Sequence, residues 1–498
     1  MAVFEVLCGF VALLLALYYF LKSPQFWEKN NIPGPKPFSV FGNFLPVIIG
    51  RRSLGDQMAN FYKQYKHEPV FGLYLQTELV LAINDPDLIK TVLIKDFSQF
   101  SNRGLRVNEK TEPLSQQLFS LEPERWRPLR TRLSPVFTSG KLKDMFSLIL
   151  DCSNTLEKYM GTLVSKGECI EVREVASRFT TDVIGSCAFG VDMNAMSKTQ
   201  CRFREIGKEF FGPSLKQHLK HKLRENFPRV YTLLGYVLPT DDNTTFFTNA
   251  VLDMIEYRRK NNIVRLDFIN TLMDLQDHPE KLSIELTKHL LVAQAFVFFV
   301  AGFETSSSTI ANALYELAQH QDVQDKLRNE IKKHYELTNG EWQYEDVKNM
   351  PILDAVFKET LRKYPPLPIL MRKNTEDYTF ENMKLTIPKN TRIFIPLYAI
   401  HRDPDIYPNP DVFDIDRFKK SAIAARHPMH YLPFGDGPRN CLGARFAIFQ
   451  TKIGLIKILR TYKVDVCDQT QIPYINQERS FLLAPKHGLV LKITNVDS

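Results

Sequence analysis

The stretch that most constrains this chain is "PFGDGPRNCLG", residues 433–443. A cysteine sits there among three glycines and an arginine, opening a helical pattern whose apolar residues include Phe446, Phe449, Ile453, Ile456 and Leu459. Any fold open to the chain must deliver Cys441 at a helix entrance. In that place it could be a small buried hydrophobe, a redox thiol or a metal ligand. A helix N-terminus offers unpaired N–H groups and the positive end of the dipole, which favours the thiolate. Gly435 and Gly437 permit tight turning and close approach of another body to the backbone. Gly443 removes a side chain beside the cysteine, and Arg439 can pair with an anion. Such a loop suits a flat, anionic, metal-containing ligand.

The remaining cysteines narrow the choice. There are 7 in 498 residues, unevenly scattered and with no C-x-x-C pair. That argues against a disulfide framework and a structural zinc site, and fits a reducing compartment. A composition of 44% hydrophobic and 24% charged residues is globular. The net charge of +8 suits an acidic protein partner or an anionic membrane surface. With no basic block and no zinc-finger spacing, nucleic acid is not an expected partner.

The N-terminus reads "AVFEVLCGFVALLLALYYFL" from Ala2 to Leu21, with Glu5 its only charge. About twenty residues at roughly 1.5 Å rise can cross a hydrocarbon core. The acid comes first, and Lys22 and Lys29 follow the apolar run, so residues 1–22 are expected to be a retained anchor with the rest of the chain cytosolic. "LLVAQAFVFFVAGF" (290–303) is shorter, carries a glutamine and reads as a buried core helix. Pro33, Pro35 and Pro37 make residues 23–40 a stiff, non-helical spacer.

Residues 69–85 carry two strand-like runs with a turn near Gln76-Thr77. Helical patterns dominate from about 86 to 365, with starts near Pro86 and Pro123 and a long helix capped at Ser283. Strand character returns over 367–397, a polar proline-rich coil over 401–432, and a last helix over 441–461. With no internal repeat and no Gly/Ser linker, residues 41–498 form one large domain, mainly α with small β-sheets.

Four further stretches bear on chemistry. In "AGFETSSST" (301–309), Ala301 and Gly302 leave space on a helix face, and Thr305 can hydrogen-bond back to a carbonyl and bend the helix. Glu304 beside it is a candidate proton relay. In "KETLRKYPP" (358–366), Glu359 and Arg362 share a helix face; "FDIDRF" (413–418) adds Arg417. In "ERWRPLRTRLSPVF" (124–137), the Trp126 indole and the Arg130 guanidinium, four apart, could both reach a carboxylate. "FSNRG" and "PILMRKN" offer Arg103 and Arg372.

Phe434, Gly437, Arg439, Cys441 and Gly443 together spell F-x-x-G-x-R-x-C-x-G, which resembles the haem-binding loop of cytochrome P450 monooxygenases. The A-G-x-[DE]-T stretch, E-x-x-R with its later arginine, and W-x-x-x-R are similar to the same family's motifs. The resemblance spans almost the whole chain and looks most like insect family 6 of the microsomal class. It implies the cytochrome P450 fold behind a single N-terminal transmembrane helix, with residues 1–22 as anchor, 23–40 as hinge and 41–498 as catalytic domain. It implies haem b, with Cys441 as the proximal iron ligand and Arg103, Trp126, Arg130, Ala301, Arg372, Phe434, Arg439 and Gly443 around the cofactor. Thr305 and Glu304 would manage oxygen and protons. Glu359, Arg362 and Arg417 would form a buried network behind the haem.

The same resemblance implies electrons from NADPH-cytochrome P450 reductase, with cytochrome b5 as a further partner, at the cytosolic face of the endoplasmic reticulum. Arg125, Arg127, Arg132, Lys141, Lys143, Lys452, Lys457 and Arg460 would meet the reductase. The substrate is a lipophilic small molecule: a plant toxin, an insecticide or an endogenous hormone or lipid. Its pocket draws on loop 105–121, Phe210-Phe211, Phe298, Ala301, Ile369-Leu370 and Phe481-Leu482. A non-oxidising haem-thiolate ligand-binding protein, and an isomerase or dehydratase needing no reductase, are disfavoured by the threonine and acid.

Overall fold

The apolar run that the sequence assigns to the core does become a core helix. In the computed structural model, which describes residues 25–197, 201–211, 219–220, 223–224, 228–235, 241–265 and 267–496, it belongs to a helix of 32 residues. The expected anchor lies outside these residues. Six helices position the site: α1 (Pro123–Leu133), α2 (Ser139–Val164), α3 (Val172–Ile184), α4 (Lys288–Gln319), α5 (Pro351–Lys363) and α6 (Ala444–Thr461). Among the described residues the chain is mainly helical with small sheets.

α4 is long and apolar enough to cross a membrane, yet 72% of its most apolar window is buried inside the protein. It starts at Lys288 rather than after Ser283, because the Thr287 hydroxyl accepts the Leu290 N–H at 3.1 Å and so caps it. Glycines set the close crossings. A Cβ at Gly302 would lie 2.4 Å from Ile184 Cδ1 on α3. One at Gly454 on α6 would lie 3.0 Å from both Ile310 of α4 and Phe179 of α3. The three helices therefore share one tightly packed core, with α2 laid against α6.

The sheets sit around this helical body. β1 (Val70–Leu75) and β2 (Glu78–Ile83) form the expected hairpin, Val70 opposite Ile83, with Gln76 in the left-handed region at φ +58°. β2 runs parallel to β7 (Arg392–Ile395), which pairs antiparallel with β4 (Leu370–Lys373), giving the order β1-β2-β7-β4. β3 (Ile170–Glu171), β9 (Val490–Asn495) and β8 (Tyr462–Asp465) form a second sheet in that order, and β5 (Tyr378–Phe380) pairs with β6 (Leu385–Ile387).

The proline segment is not a free spacer. Phe26–Lys29 form a short helix whose Trp27 is 2% exposed, and its indole donates to the Leu73 carbonyl at 2.8 Å. Gly72 N–H donates to the Pro33 carbonyl, and a Cβ at Gly34 would strike the Gly72 carbonyl oxygen at 2.1 Å. Prolines stiffen the segment; Trp27 and Gly34 fasten it to β1.

Candidate functional site

The loop before α6 is built by its glycines. Gly435 and Gly437 have φ of +68° and +70°, and a Cβ at Gly437 would lie 1.9 Å from the Leu93 carbonyl oxygen. The Cys441 N–H donates to the Phe434 carbonyl at 2.8 Å, closing the loop. Phe434 stacks on Phe357 of α5, with ring centroids 6.4 Å apart. Gly443 is the N-cap of α6, so Cys441 stands three residues ahead of the helix that the sequence starts at 441. Cys441 is exposed by area yet ringed by protein, the mark of a side chain facing an internal space. Burial pushes its thiol up; the Gly443 N–H and the Arg130 and Arg103 guanidiniums pull the other way without reversing it. The helix dipole alone therefore does not yield a thiolate here. A coordinated metal cation would, because ligation deprotonates a thiol.

Guanidiniums gather beside the loop. Arg439 is 1% exposed, donates through Nη2 to the Leu121 carbonyl at 2.8 Å, and lies over the Trp126 ring at 4.3 Å. Arg103 donates to the Phe119 and Arg439 carbonyls at 3.1 and 2.7 Å. Arg130 donates to the Asn440 carbonyl and side-chain oxygen at 3.0 and 2.7 Å. Arg372, on β4, donates to the Met371 carbonyl at 2.8 Å. Burial, then Arg372 and Arg130, lowers Arg439 to about 9. Burial lowers Arg372 to about 10, and burial, then Arg372, Arg439 and Arg130, holds Arg103 well below the usual guanidinium range. The nearby carboxylate, Glu122, is engaged by Arg125.

Arg439 Nε and Nη1 and Arg372 Nε are buried with no protein acceptor. Several cations thus repel one another while donors point at no anion. Two carboxylates of a flat ligand whose metal meets Cys441 satisfy both needs, so the residues fit an iron porphyrin. Trp126 and Arg130 also brace the loop from within the protein: the indole ring carries Arg439, and Arg130 fastens Asn440.

On α4, Thr305 Oγ1 donates to the Ala301 carbonyl at 2.7 Å, as its position predicts. Val297, Ala301 and Thr305, four apart, form one stripe that keeps accessible area, as do Phe298 and Gly302 beside it, in a helix otherwise buried from Leu290 to Ala318. Gly302 opens nothing on this stripe; it seats Ile184. Glu304, 3% exposed, is turned toward α3 and ion-paired with Arg173. In this arrangement it is not a free relay.

The Cytochrome P450 family profile matches residues 32–491. This chain belongs to the cytochrome P450 family. It is 40% identical over 501 residues to "Probable cytochrome P450 6a14" of Drosophila melanogaster, covering 98% of each chain. It is 40% identical over 489 residues to "Cytochrome P450 6A1" of Musca domestica, covering 96% of this chain and 95% of the other. To "Cytochrome P450 6k1" of Blattella germanica it is 37% identical over 509 residues, covering 98% and 97%. The protein is thus a cytochrome P450 monooxygenase with haem b as its cofactor, akin to insect family 6.

Behind the Cys441 loop this P450 holds an ionic set. Glu359 and Arg362, both 0% exposed, pair through two hydrogen bonds of 2.7 Å. Arg362 also donates to the His401 and Pro410 carbonyls, the Asp414 N–H donates to Glu359, and Arg417 Nε lies 3.5 Å from the same carboxylate. One buried carboxylate and two guanidiniums hold the irregular 401–417 segment against α5.

Other expected residues of the P450 are placed differently. Phe298, partly accessible, stacks between Phe268 at 4.4 Å and Phe137 at 5.3 Å, which fixes its ring against the core. Ile369 is 3% exposed among Phe394 and its neighbours, whereas Leu370 reaches toward the Gly435 backbone. Phe481 is exposed and meets Phe119 edge-on, Leu482 is buried, and Phe210 is exposed beside Phe296; the Phe211 side chain lies outside what is described. Lys452 and Lys457 are buried, bonded to Asp354 at 2.9 Å and Asn154 at 2.6 Å, and Arg460 pairs with Glu157. They are internal fastenings, not a docking surface, because α6 is covered on nearly every side. Arg125 is committed to Glu109 and Glu122, and Lys143 to Glu345.

Residues that the sequence reading passed over complete the site. The Gln294 side chain accepts the Leu118 N–H at 2.9 Å and donates to the Gln116 carbonyl at 2.8 Å, tying loop 105–121 to α4. Its signal was visible: a glutamine inside an apolar run has no cheap place to bury unless it is fully paired. Asn440 and the Leu121 carbonyl carried no such signal.

Proposed function

We propose that this P450 oxidises lipophilic small molecules, plant toxins and insecticides foremost, with electrons from NADPH-cytochrome P450 reductase and with cytochrome b5 as a further donor. The enzyme would work at the endoplasmic reticulum membrane, held by residues 1–22, its catalytic domain facing the cytosol. The observation that supports the reading is the set of buried guanidiniums beside the Cys441 loop, where Arg439 Nε and Nη1 and Arg372 Nε have no protein acceptor.

When bound, the haem supplies reductive activation of dioxygen, and a cysteine thiolate as axial ligand favours O–O cleavage. Cys441 would hold the iron. Arg439, Arg372, Arg103 and Arg130 would hold the carboxylates, with Trp126 bracing Arg439. Val297 and Ala301 present apolar surface to a substrate and keep water from it. The Thr305 hydroxyl gives its one proton to the Ala301 carbonyl and so would hold a proton donor beside the substrate through its lone pairs, donating there itself only when it leaves Ala301. Glu304 would join proton delivery only after leaving Arg173. Phe434 packs the loop from behind.

The test is a reduced, CO-bound difference spectrum followed by reductase-supported turnover on a panel of lipophilic compounds. Cys441→Ser is expected to abolish the thiolate-type band while the far-UV spectrum stays native. Retention of that band would overturn the ligand assignment, and a normal band with no turnover of any compound would overturn the substrate class.

A further inference from the structure

Loop 105–121 has little regular backbone of its own: one short turn of 3-10 helix, Pro113–Ser115, and no strand. Gln116 and Leu118 are buried in it, and a main-chain group of each has a single partner among the described residues, Gln294. Gln294 Oε1 accepts the Leu118 N–H at 2.9 Å, and Nε2 donates to the Gln116 carbonyl at 2.8 Å. The other Nε2 hydrogen goes to the Leu290 carbonyl at 2.8 Å, one turn back in α4. The whole amide is thus engaged, at 0% exposure. Reversed, it would set its NH2 against the Leu118 N–H and its oxygen against two carbonyls, so one orientation fits.

Gln294 also stands on the face of the stripe. With about 3.6 residues per turn, Gln294, Val297, Ala301 and Thr305 follow one another along a single side of α4. Beyond Leu118 the loop is held again. Arg103 donates to the Phe119 carbonyl at 3.1 Å and lies over its ring at 4.2 Å, and Arg439 donates to the Leu121 carbonyl at 2.8 Å. Residues 116–121 are therefore fixed at one end to the helix that carries Thr305 and at the other to the arginines beside Cys441. The hydrogen bonds at both ends take main-chain atoms of the loop, so its path is set independently of its side chains.

We propose that Gln294 is a positioning residue for ligand selection: it holds residues 116–118 against α4 and so sets the width open to a lipophilic molecule between loop and stripe. The inference rests on the reading that the Val297/Ala301/Thr305 stripe faces the substrate. Fully buried, Gln294 touches no substrate and acts through the loop. A ligand that packs between loop and helix meets a wall already in place, so binding does not have to order it. Without the Gln294 amide, the Leu118 N–H and the Gln116 carbonyl must find water, because buried main-chain groups do not stay unpaired. The loop then leaves α4 and the prepared wall is lost.

The haem-loaded, full-length protein is titrated with imidazole and with 4-phenylimidazole, each read by the Soret shift of nitrogen on iron. Imidazole reports the haem alone, whereas the phenyl ring adds contact with the walls. Gln294→Met keeps the side-chain length and removes its hydrogen bonds. It should weaken 4-phenylimidazole binding about 10-fold while imidazole affinity and the reduced CO band stay unchanged. Gln324→Met is the control. Gln324, equally buried, accepts the Val464 N–H at 3.0 Å and donates to the Leu317 and Val464 carbonyls at 2.9 and 2.8 Å. Its loss should lower stability and leave the ratio of the two affinities alone; the same shift in both variants overturns the proposal. In the unmodified protein the Leu118 amide should exchange its hydrogen at least ~10-fold more slowly than those of the exposed Glu109-Lys110 turn. Equal rates overturn the proposal even if Gln294→Met does not fold. A normal imidazole spectrum with 4-phenylimidazole affinity unchanged in Gln294→Met overturns it and leaves the haem site standing. No iron-bound spectrum with either ligand in the unmodified protein overturns the site itself.

Discussion

Arg439 concentrates the chemistry of the site into one side chain. It is buried, stacked on Trp126 and bonded to the Leu121 carbonyl, with Nε and Nη1 left for an anion. Lysine cannot stack in a plane or offer a fork. We expect Arg439→Lys to weaken haem retention about tenfold, since a hydrogen bond to a charged group contributes roughly 1.5–3 kcal/mol; transfer of haem to an apo-acceptor reads it. His401 makes a different prediction. Burial, then Arg362, lowers it from 6.5 to about 3, and its Nε2 accepts the Leu432 N–H at 3.1 Å. Above pH 6.5 folded and unfolded chains both hold it neutral, so nothing is gained or lost. As pH falls from 6.5 toward 3, the unfolded chain binds a proton that the folded chain refuses, and stability drops by about 1.4 kcal/mol per pH unit. His401→Gln should flatten that slope in denaturant titrations between neutral and mildly acidic pH. Residues of this kind were unevenly legible. Arg439 stood in a local motif. The Glu304 ion pair did not, because Arg173 lies 131 positions away and no periodicity links the two.

At the scale of elements, α3 and α4 meet where Gly302 admits Ile184. Space for a ligand and space for a neighbouring helix leave the same small residues in a sequence, which is why Ala301 and Gly302 read alike there and diverge in the structure. Gly302→Ala gains helix propensity of about 1 kcal/mol but overpacks a closed contact at a cost of about 1–3 kcal/mol. We expect a net loss of stability in chemical denaturation, restored by adding Ile184→Val, which removes the methyl that the new Cβ would strike. The hairpin of β1 and β2 and the return of strands before β7 were legible because turn residues and alternation are local. The start of α4 was not: Ser283 and Thr287 are both acceptable caps, and only the fold shows which hydroxyl meets the Leu290 N–H.

Across the whole molecule, charge sorts into fastening and display. Lys452, Lys457 and Arg460 are tied to acids inside the fold, whereas Arg127, Arg132 and Arg445 are exposed near the Cys441 side of α1 and α6. A combined Arg127→Glu, Arg132→Glu and Arg445→Glu variant should lose most reductase-supported turnover, with peroxide-supported turnover and the CO band retained. Lys452→Ala should instead lower stability, since it leaves Asp354 with a lost partner, and both turnovers should fall together. The sequence pattern alone could not separate the two groups, because a lysine on a solvated face and one buried in a helix pair are spelled identically. The glycine at 437 has a further consequence, on the scale of populations. With φ at +70° and a neighbour's carbonyl 1.9 Å from where any Cβ would stand, every replacement there deforms the loop that presents Cys441. Loop 105–121 is held mainly by side-chain bonds and carries no such veto. Alleles sampled from natural populations should therefore accumulate replacements in that loop and be swept clean at codon 437, so that inherited novelty in this protein is kept out of the loop that presents Cys441.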